Sequence, residues 1–167
     1  MKRILLIITI LTGTFILTKA QSIDAKKGFN KTLQAYFDTK NALAKDDVRL
    51  ANMSAKGLTI ALTTFPVESL SATQQTVWKT QTAQIIKSAD AIVLQKDLKE
   101  QRKSFWPLSS AMLKLAKELK LNTNDVYVQY CPMAKKSWLN EVEAVQNPFY
   151  GSMMYDCGEV TETIAKK

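Results

Sequence analysis

Apolar residues return at helical spacing through the first two-thirds of the chain. Phe29, Leu33, Tyr36, Phe37 and Leu43 fall on one stripe, as expected for a helix with a single buried face. Asp46 and Asp47 then offer an N-cap and favourable negative charge for a second helix. Its inner face is Ala51, Ala55, Leu58, Leu62 and Phe65, and Pro66 ends it. Ser69 or Ser71 can cap a third helix, in which Trp78, Ile85 and Ile92 recur at heptad spacing. The fourth stretch has the clearest repeat. Leu98, Phe105, Met112 and Leu119 form one heptad series, and Leu94, Leu108 and Leu115 form the other, with polar Gln101 in the remaining slot. Two interleaved heptads make the a/d seam of a helical bundle. Pro107 predicts a kink, or a break that makes two helices. Trp78, Phe105 and Trp106 lie on the apolar stripes and read as core. The pattern as a whole predicts a mainly α protein, an up-and-down four-helix bundle kinked near Pro107.

After Leu121 the texture changes. Asn122-Thr123-Asn124-Asp125 is a turn-rich break, and the β-branched and aromatic run Val126-Tyr127-Val128-Gln129-Tyr130 reads as a strand. Asn147-Pro148 and Gly151-Ser152 are turn signals, and the segment from Gly158 to Ile164 alternates as a second strand. Residues 122–167 therefore predict a small β-hairpin-like appendage on the bundle. Trp138, Phe149 and Tyr150 are expected to pack the connection between its strands. Glu141 and Glu143 flank that connection without an assignable partner.

The segment before the first stripe has a different character. Lys2 and Arg3 precede an almost unbroken apolar run from Ile4 to Leu17, and Thr18-Lys19-Ala20 ends in small residues. That order describes a secretory leader cut after Ala20, leaving 21–167 as one exported, periplasmic domain with no membrane span. The run is shorter than the roughly 20 residues of a spanning helix. Beyond Ala20 there remain 20 basic residues against 15 acidic, a net +5. These charges are spread along the helices rather than gathered into the dense basic stripe of a nucleic-acid binder.

Histidine is absent. This excludes imidazole general acid–base chemistry, Ser-His-Asp and Cys-His nucleophiles, and imidazole metal sites. There is also no Cys-x-x-Cys motif, so the residues point to a binding protein and not to an enzyme.

What remains distinctive is sulfur. Cys131 and Cys157 both lie in the appendage, each with methionine close by, in Cys131-Pro132-Met133 and Met154-Tyr155-Asp156-Cys157. Two cysteines in an exported chain are first a disulfide candidate. If the strands pair, the four sulfurs of Cys131, Met133, Met154 and Cys157 can instead converge as a soft site, which selects Cu(I) or Ag(I) over oxygen-seeking ions. Two unrelated free thiols are the third reading, and spacing leaves all three open.

The run from Val126 to Ala134, then Trp138-Leu139, Asn147-Pro148-Phe149-Tyr150-Gly151 and Met154-Tyr155-Asp156-Cys157-Gly158, resembles a bacterial envelope family known mainly as a domain of unknown function. The resemblance extends to Tyr36, Lys40-Asn41-Ala42-Leu43, Asp46-Asp47, Phe105 and Pro107-Leu108-Ser109. Members occur alone, or fused to the periplasmic adaptor subunit of copper/silver efflux systems. The resemblance implies a role in heavy-metal handling, with an efflux adaptor as partner. It carries over Cys131, Met133, Met154 and Cys157 as ligands, with Met153 in reserve and Tyr130, Trp138, Asn147 and Tyr150 in support. Some relatives have histidine where this chain has Tyr130, so no imidazole contributes here.

Overall fold

The structure is a computed structural model that describes the backbone of residues 2–167 and the side chains from Ile23 onward. The expected leader, residues 1–20, lies outside the residues whose side chains are described. Helix α1 spans Lys2–Ala44, α2 Val48–Thr63, α3 Ala72–Leu94 and α4 Leu98–Leu119. Among the described residues no helix is long and apolar enough to cross a membrane.

Each helix packs chiefly on its neighbours in sequence, because the connections are too short for anything but a reversal. The expected stripes face inward: Phe29, Leu33, Tyr36, Phe37 and Leu43 of α1, and Ala51, Ala55, Leu58 and Leu62 of α2, are all buried. Trp78, Ile85 and Ile92 of α3 are buried with them, as are Phe105, Leu108, Met112, Leu115 and Leu119 of α4.

Local signals set the helix ends. Asp47 caps α2 by accepting from the Leu50 N–H at 2.8 Å. Ser71 and Gln74 form a capping box at the start of α3, and Asp97 caps α4 through the Glu100 N–H. Of the two aspartates expected to cap α2, only Asp47 does so. Asp46 adopts a left-handed conformation (φ 60°) and turns its carboxylate elsewhere.

Two further expectations are corrected, and of the two alternatives at Pro107 the break is removed. Leu94 does not belong to the α4 seam: it is the last residue of α3 and is 77% exposed. Pro107 does not split the fourth helix, which runs unbroken through it. The ring removes only the bond to the Lys103 carbonyl, and Lys103, Ser104 and Pro107 border a groove of about 390 Å³ against α3. Trp106 is 36% exposed at the edge of the core rather than inside it. Gln101, the polar residue of the seam, is buried and donates to the Val48 carbonyl and to Asn52, so it ties α4 to the first turn of α2.

The appendage has one strand more than the sequence pattern revealed. Strands β1 (Val126–Cys131), β2 (Lys136–Asn140) and β3 (Glu159–Ile164) form an antiparallel sheet in the order β2-β1-β3. Strand β2 holds Ser137-Trp138-Leu139, where an irregular connection was expected. Its Trp138, Leu139 and Asn140 are consecutive buried residues, so the alternation that marks a half-buried strand is absent. The sheet packs on α4 through β2. Tyr36 Oη meets Ser109 at 2.8 Å and accepts from the Leu139 N–H, joining α1, α4 and β2 at one point. Burial raises the Tyr36 pKa far above its ordinary value.

Candidate functional site

Strand register brings the two cysteines together. Cys131 is the last residue of β1, Tyr130 pairs with Glu159 at the start of β3, and Cys157 lies just before that strand. The two sulfurs stand 3.1 Å apart, both as free thiols, Cys131 fully buried and Cys157 partly exposed. Gly158 makes this approach feasible. Its φ of 146° is open to glycine, and a Cβ there would come within 2.8 Å of the Tyr130 carbonyl oxygen.

Around the pair, the chain supplies hydrogen-bond donors. The turn from Pro132 to Lys135 closes with the Lys135 N–H on the Cys131 carbonyl and points the Ala134 N–H at Cys131 Sγ, 3.4 Å away. Burial opposes a charge on Cys131. The N–H groups of Ala134 and Met133, the Cys157 thiol and the Asn147 amide outweigh it and hold Cys131 below the ordinary thiol range. Cys157 is pushed up, first by its bond to Cys131 and then by burial. The opposite shifts make Cys131 the more readily ionised of the two thiols.

Buried Asn147 organises the loops on the far side. Its Oδ1 accepts from the Phe149 and Tyr150 N–H groups, the turn expected of Asn-Pro, and its Nδ2 donates to the Cys157 carbonyl at 2.9 Å. Trp138 is fully buried, lies edge-on to Phe149, and would meet a Gly158 Cβ at 3.2 Å, so it walls the site. Tyr150 Oη donates to the Met133 carbonyl and links the two loops, while Tyr130 neighbours Cys131 on β1.

The methionines lie in the loops that adjoin the two cysteines along the chain. Met133 sits in the β1–β2 turn, and Met153 and Met154 in and beside the short helical turn Gly151–Met153; all three side chains are exposed. Among the described residues no group of three or more His, Cys, Asp or Glu side chains is placed to hold a metal ion.

Two polar clusters that sequence reasoning missed fix the site to the bundle. In the first, the Arg102 guanidinium pairs with the Asp46 carboxylate and donates to the Pro148 and Leu43 carbonyls. Asp46 also accepts from the Ser152 hydroxyl and N–H. Burial works against its charge, but Ser152 and Arg102 hold its carboxyl below the usual range. Gly151 packs so closely on this ion pair that a Cβ would overlap both partners, and its φ is positive as well (58°). In the second cluster, fully buried Lys40 donates to Asn140 and Gln146 and pairs with Glu141 at 3.3 Å. Asn41 donates to the same Glu141, the residue that sequence left without a partner. Burial lowers the Lys40 pKa to about 8, against the attraction of Glu141. Lys40, Asn41 and Asp46 carried the resemblance in the first helical hairpin, and their side chains serve the appendage. The only sequence signal for Arg102 was an arginine in a chain that mostly uses lysine.

Beside the pair, a cleft of about 540 Å³ opens between α4 and the loops, lined in part by Met133, Ala134, Lys136 and Tyr150. No curated protein and no solved structure matches the chain. The family match covers residues 32–124, from the buried half of α1 to the turn before β1, and stops short of both cysteines. Spanning more than half of the chain, it shows that this protein belongs to the DUF3347 family, proteins of unknown function.

Proposed function

We propose that this protein is an exported binding protein for a soft monovalent metal ion, Cu(I) or Ag(I), and takes part in heavy-metal handling or efflux in the periplasm. The observation that carries the reading is the contact of two free thiols at 3.1 Å, one held below its ordinary pKa, between two methionine-bearing loops. Thiolate and thioether are soft donors and suit Cu(I). Cys131 and Cys157 would hold the ion, with Met133 and Met154 completing the shell and Met153 in reserve. Two thiolates on one monovalent ion leave a net negative charge, and cationic Lys136 in the adjoining cleft favours it. Loading displaces thiol protons, so affinity rises with pH until both thiols are ionised. With no histidine and no acid–base pair at the thiols, binding and transfer are the function, not catalysis. An acceptor in an efflux system, such as its periplasmic adaptor, is the partner this reading implies.

The test is an anaerobic titration of the reduced protein with Cu(I) against a chromophoric chelator, beside Cys131→Ser. One tightly held ion, lost in the variant, supports the site. If the chelator keeps all its copper from both proteins, the metal reading fails.

The same 3.1 Å contact favours one other reading, a Cys131–Cys157 staple in a protein-interaction module of the envelope. Closing to the roughly 2.05 Å of a disulfide takes a shift of about 1 Å. In the chain-entropy model such a bond contributes about 3–4 kcal/mol. A thiol count on protein isolated under acid quench separates the two: zero free thiols before reduction would favour the staple.

A further inference from the structure

The cleft beside the thiols is built from two sides. Helix α4 contributes Lys99, Arg102 and Lys103, and β2 contributes Lys136, while Met133 and Met153 add apolar surface from the loops. Among the described residues no Asp or Glu lines it. The cations are not equivalent. Arg102 is committed to Asp46, and Lys103 pairs with Glu100 one helical turn away. Lys136 lies over the Phe149 ring at 5.0 Å, and Lys99 has no hydrogen bond or ion pair among the described residues. Lys99 and Lys136 therefore leave net positive charge on both sides of the cleft.

Met133 and Met153 are 60% and 74% exposed, a cost that the fold does not require of them and that a covering partner would remove. A small free anion would satisfy the lysines and leave the methionines in water. An extended acidic segment with apolar residues between its carboxylates satisfies both, and the volume is that of an ordinary ligand site.

We infer that this cleft is a docking site for an acidic, apolar-interleaved peptide segment of a partner protein. Both methionines are exposed in the metal-free protein, so docking does not require a bound ion. Ala134 lines the cleft and donates its N–H to Cys131 Sγ, so a docked segment lies alongside the thiol pair.

The experiment is fluorescence anisotropy of the purified, metal-free protein with a labelled peptide of alternating glutamate and leucine, at low and at physiological salt. Saturable binding is expected that weakens with salt and is absent for the glutamine-for-glutamate peptide. Lys99→Glu with Lys136→Glu should weaken it by roughly tenfold or more. Lys99→Glu alone should weaken it in the same direction, without disturbing the Phe149 contact. Lys27→Glu with Lys31→Glu, which removes the same charge from exposed positions on α1, should leave it nearly unchanged. No anisotropy change with the glutamate peptide, or equal weakening by both double variants, overturns the docking site. Displacement by free glutamate at the peptide's own carboxylate concentration also overturns it, since a small anion would then suffice.

Discussion

The bundle and the appendage solve the same problem, burying polar backbone, by opposite means. In the bundle the buried threonines look inward to their own helix: Thr32 donates to the Gly28 carbonyl, Thr39 to Ala35 and Thr82 to Trp78. Within a helix most backbone groups have their partner one turn away, so apolar side chains do most of the packing. In the appendage, three short strands and long connections leave carbonyls that no ladder reaches. Buried amides take over. Gln129 donates toward the carbonyls of Val142, Glu143 and Ala144, Asn140 to two of the same, Asn122 to Ile164 and Ala165, and Asn147 to Cys157. The difference teaches where the chemistry lies. The contacting thiol pair sits where side-chain hydrogen bonds, rather than periodic backbone, hold the chain.

The largest effect is expected where the two regions meet. Phe105 is fully buried, stacks on Tyr36 at 5.7 Å and touches Phe149 at 5.6 Å. Phe105→Ala should destabilise the protein by about 3–5 kcal/mol. Urea unfolding followed by far-UV circular dichroism and by tryptophan fluorescence should move together. Two separated transitions would break the comparison by making the appendage an independent unit.

Next is Lys40. Its folded pKa of about 8 lies below its ordinary 10.5, so the folded state disfavours the proton. The cost is complete below pH 8, and stability should rise with pH between 8 and 10.5, where the unfolded chain keeps a proton that the fold has released. The full shift corresponds to about 3 kcal/mol at most. Tyr36 acts in the opposite sense only above its ordinary value of 10.0. Urea midpoints from pH 7 to 10, measured with both cysteines changed to serine, should climb relative to Lys40→Met. Parallel curves would show that the buried lysine keeps its proton throughout.

A smaller and more local effect is expected at Arg102. Arg102→Ala removes its bonds to Pro148, Leu43 and Asp46 and should cost about 2 kcal/mol. Hydrogen exchange should speed up in residues 146–157, and Cys157 should alkylate faster, while α2 and α3 stay protected. Uniform acceleration across the chain would mean that the staple serves the whole bundle and not the site.

Legibility follows the same division. The inner faces of α1, α2 and α3 could be read from spacing because helical neighbours are near in sequence, and Asp47 and Ser71 announced their helices by local chemistry. Leu94 misled because a heptad can run on across a turn, where the polypeptide no longer keeps the helical phase. Strand β2 went unseen because its three buried residues in succession carry no alternation. Glu141 had no visible partner because Lys40 and Asn41 lie about a hundred residues away in the chain.

By itself, the sequence determined the four helices and several of their caps, the presence of a β appendage, the absence of imidazole chemistry and the placing of both cysteines in that appendage. Those properties depend on residue type and on spacings of a few residues, which local sterics and hydrogen bonding convert directly into structure. Only the tertiary structure decided that Cys131 and Cys157 meet, that Cys131 carries the lower pKa, and that Asp46, Arg102 and Lys40 hold the site to the bundle. These rest on the register of β1 against β3 and on contacts between distant segments. A slip of one residue would turn Cys131 to the other face of the sheet.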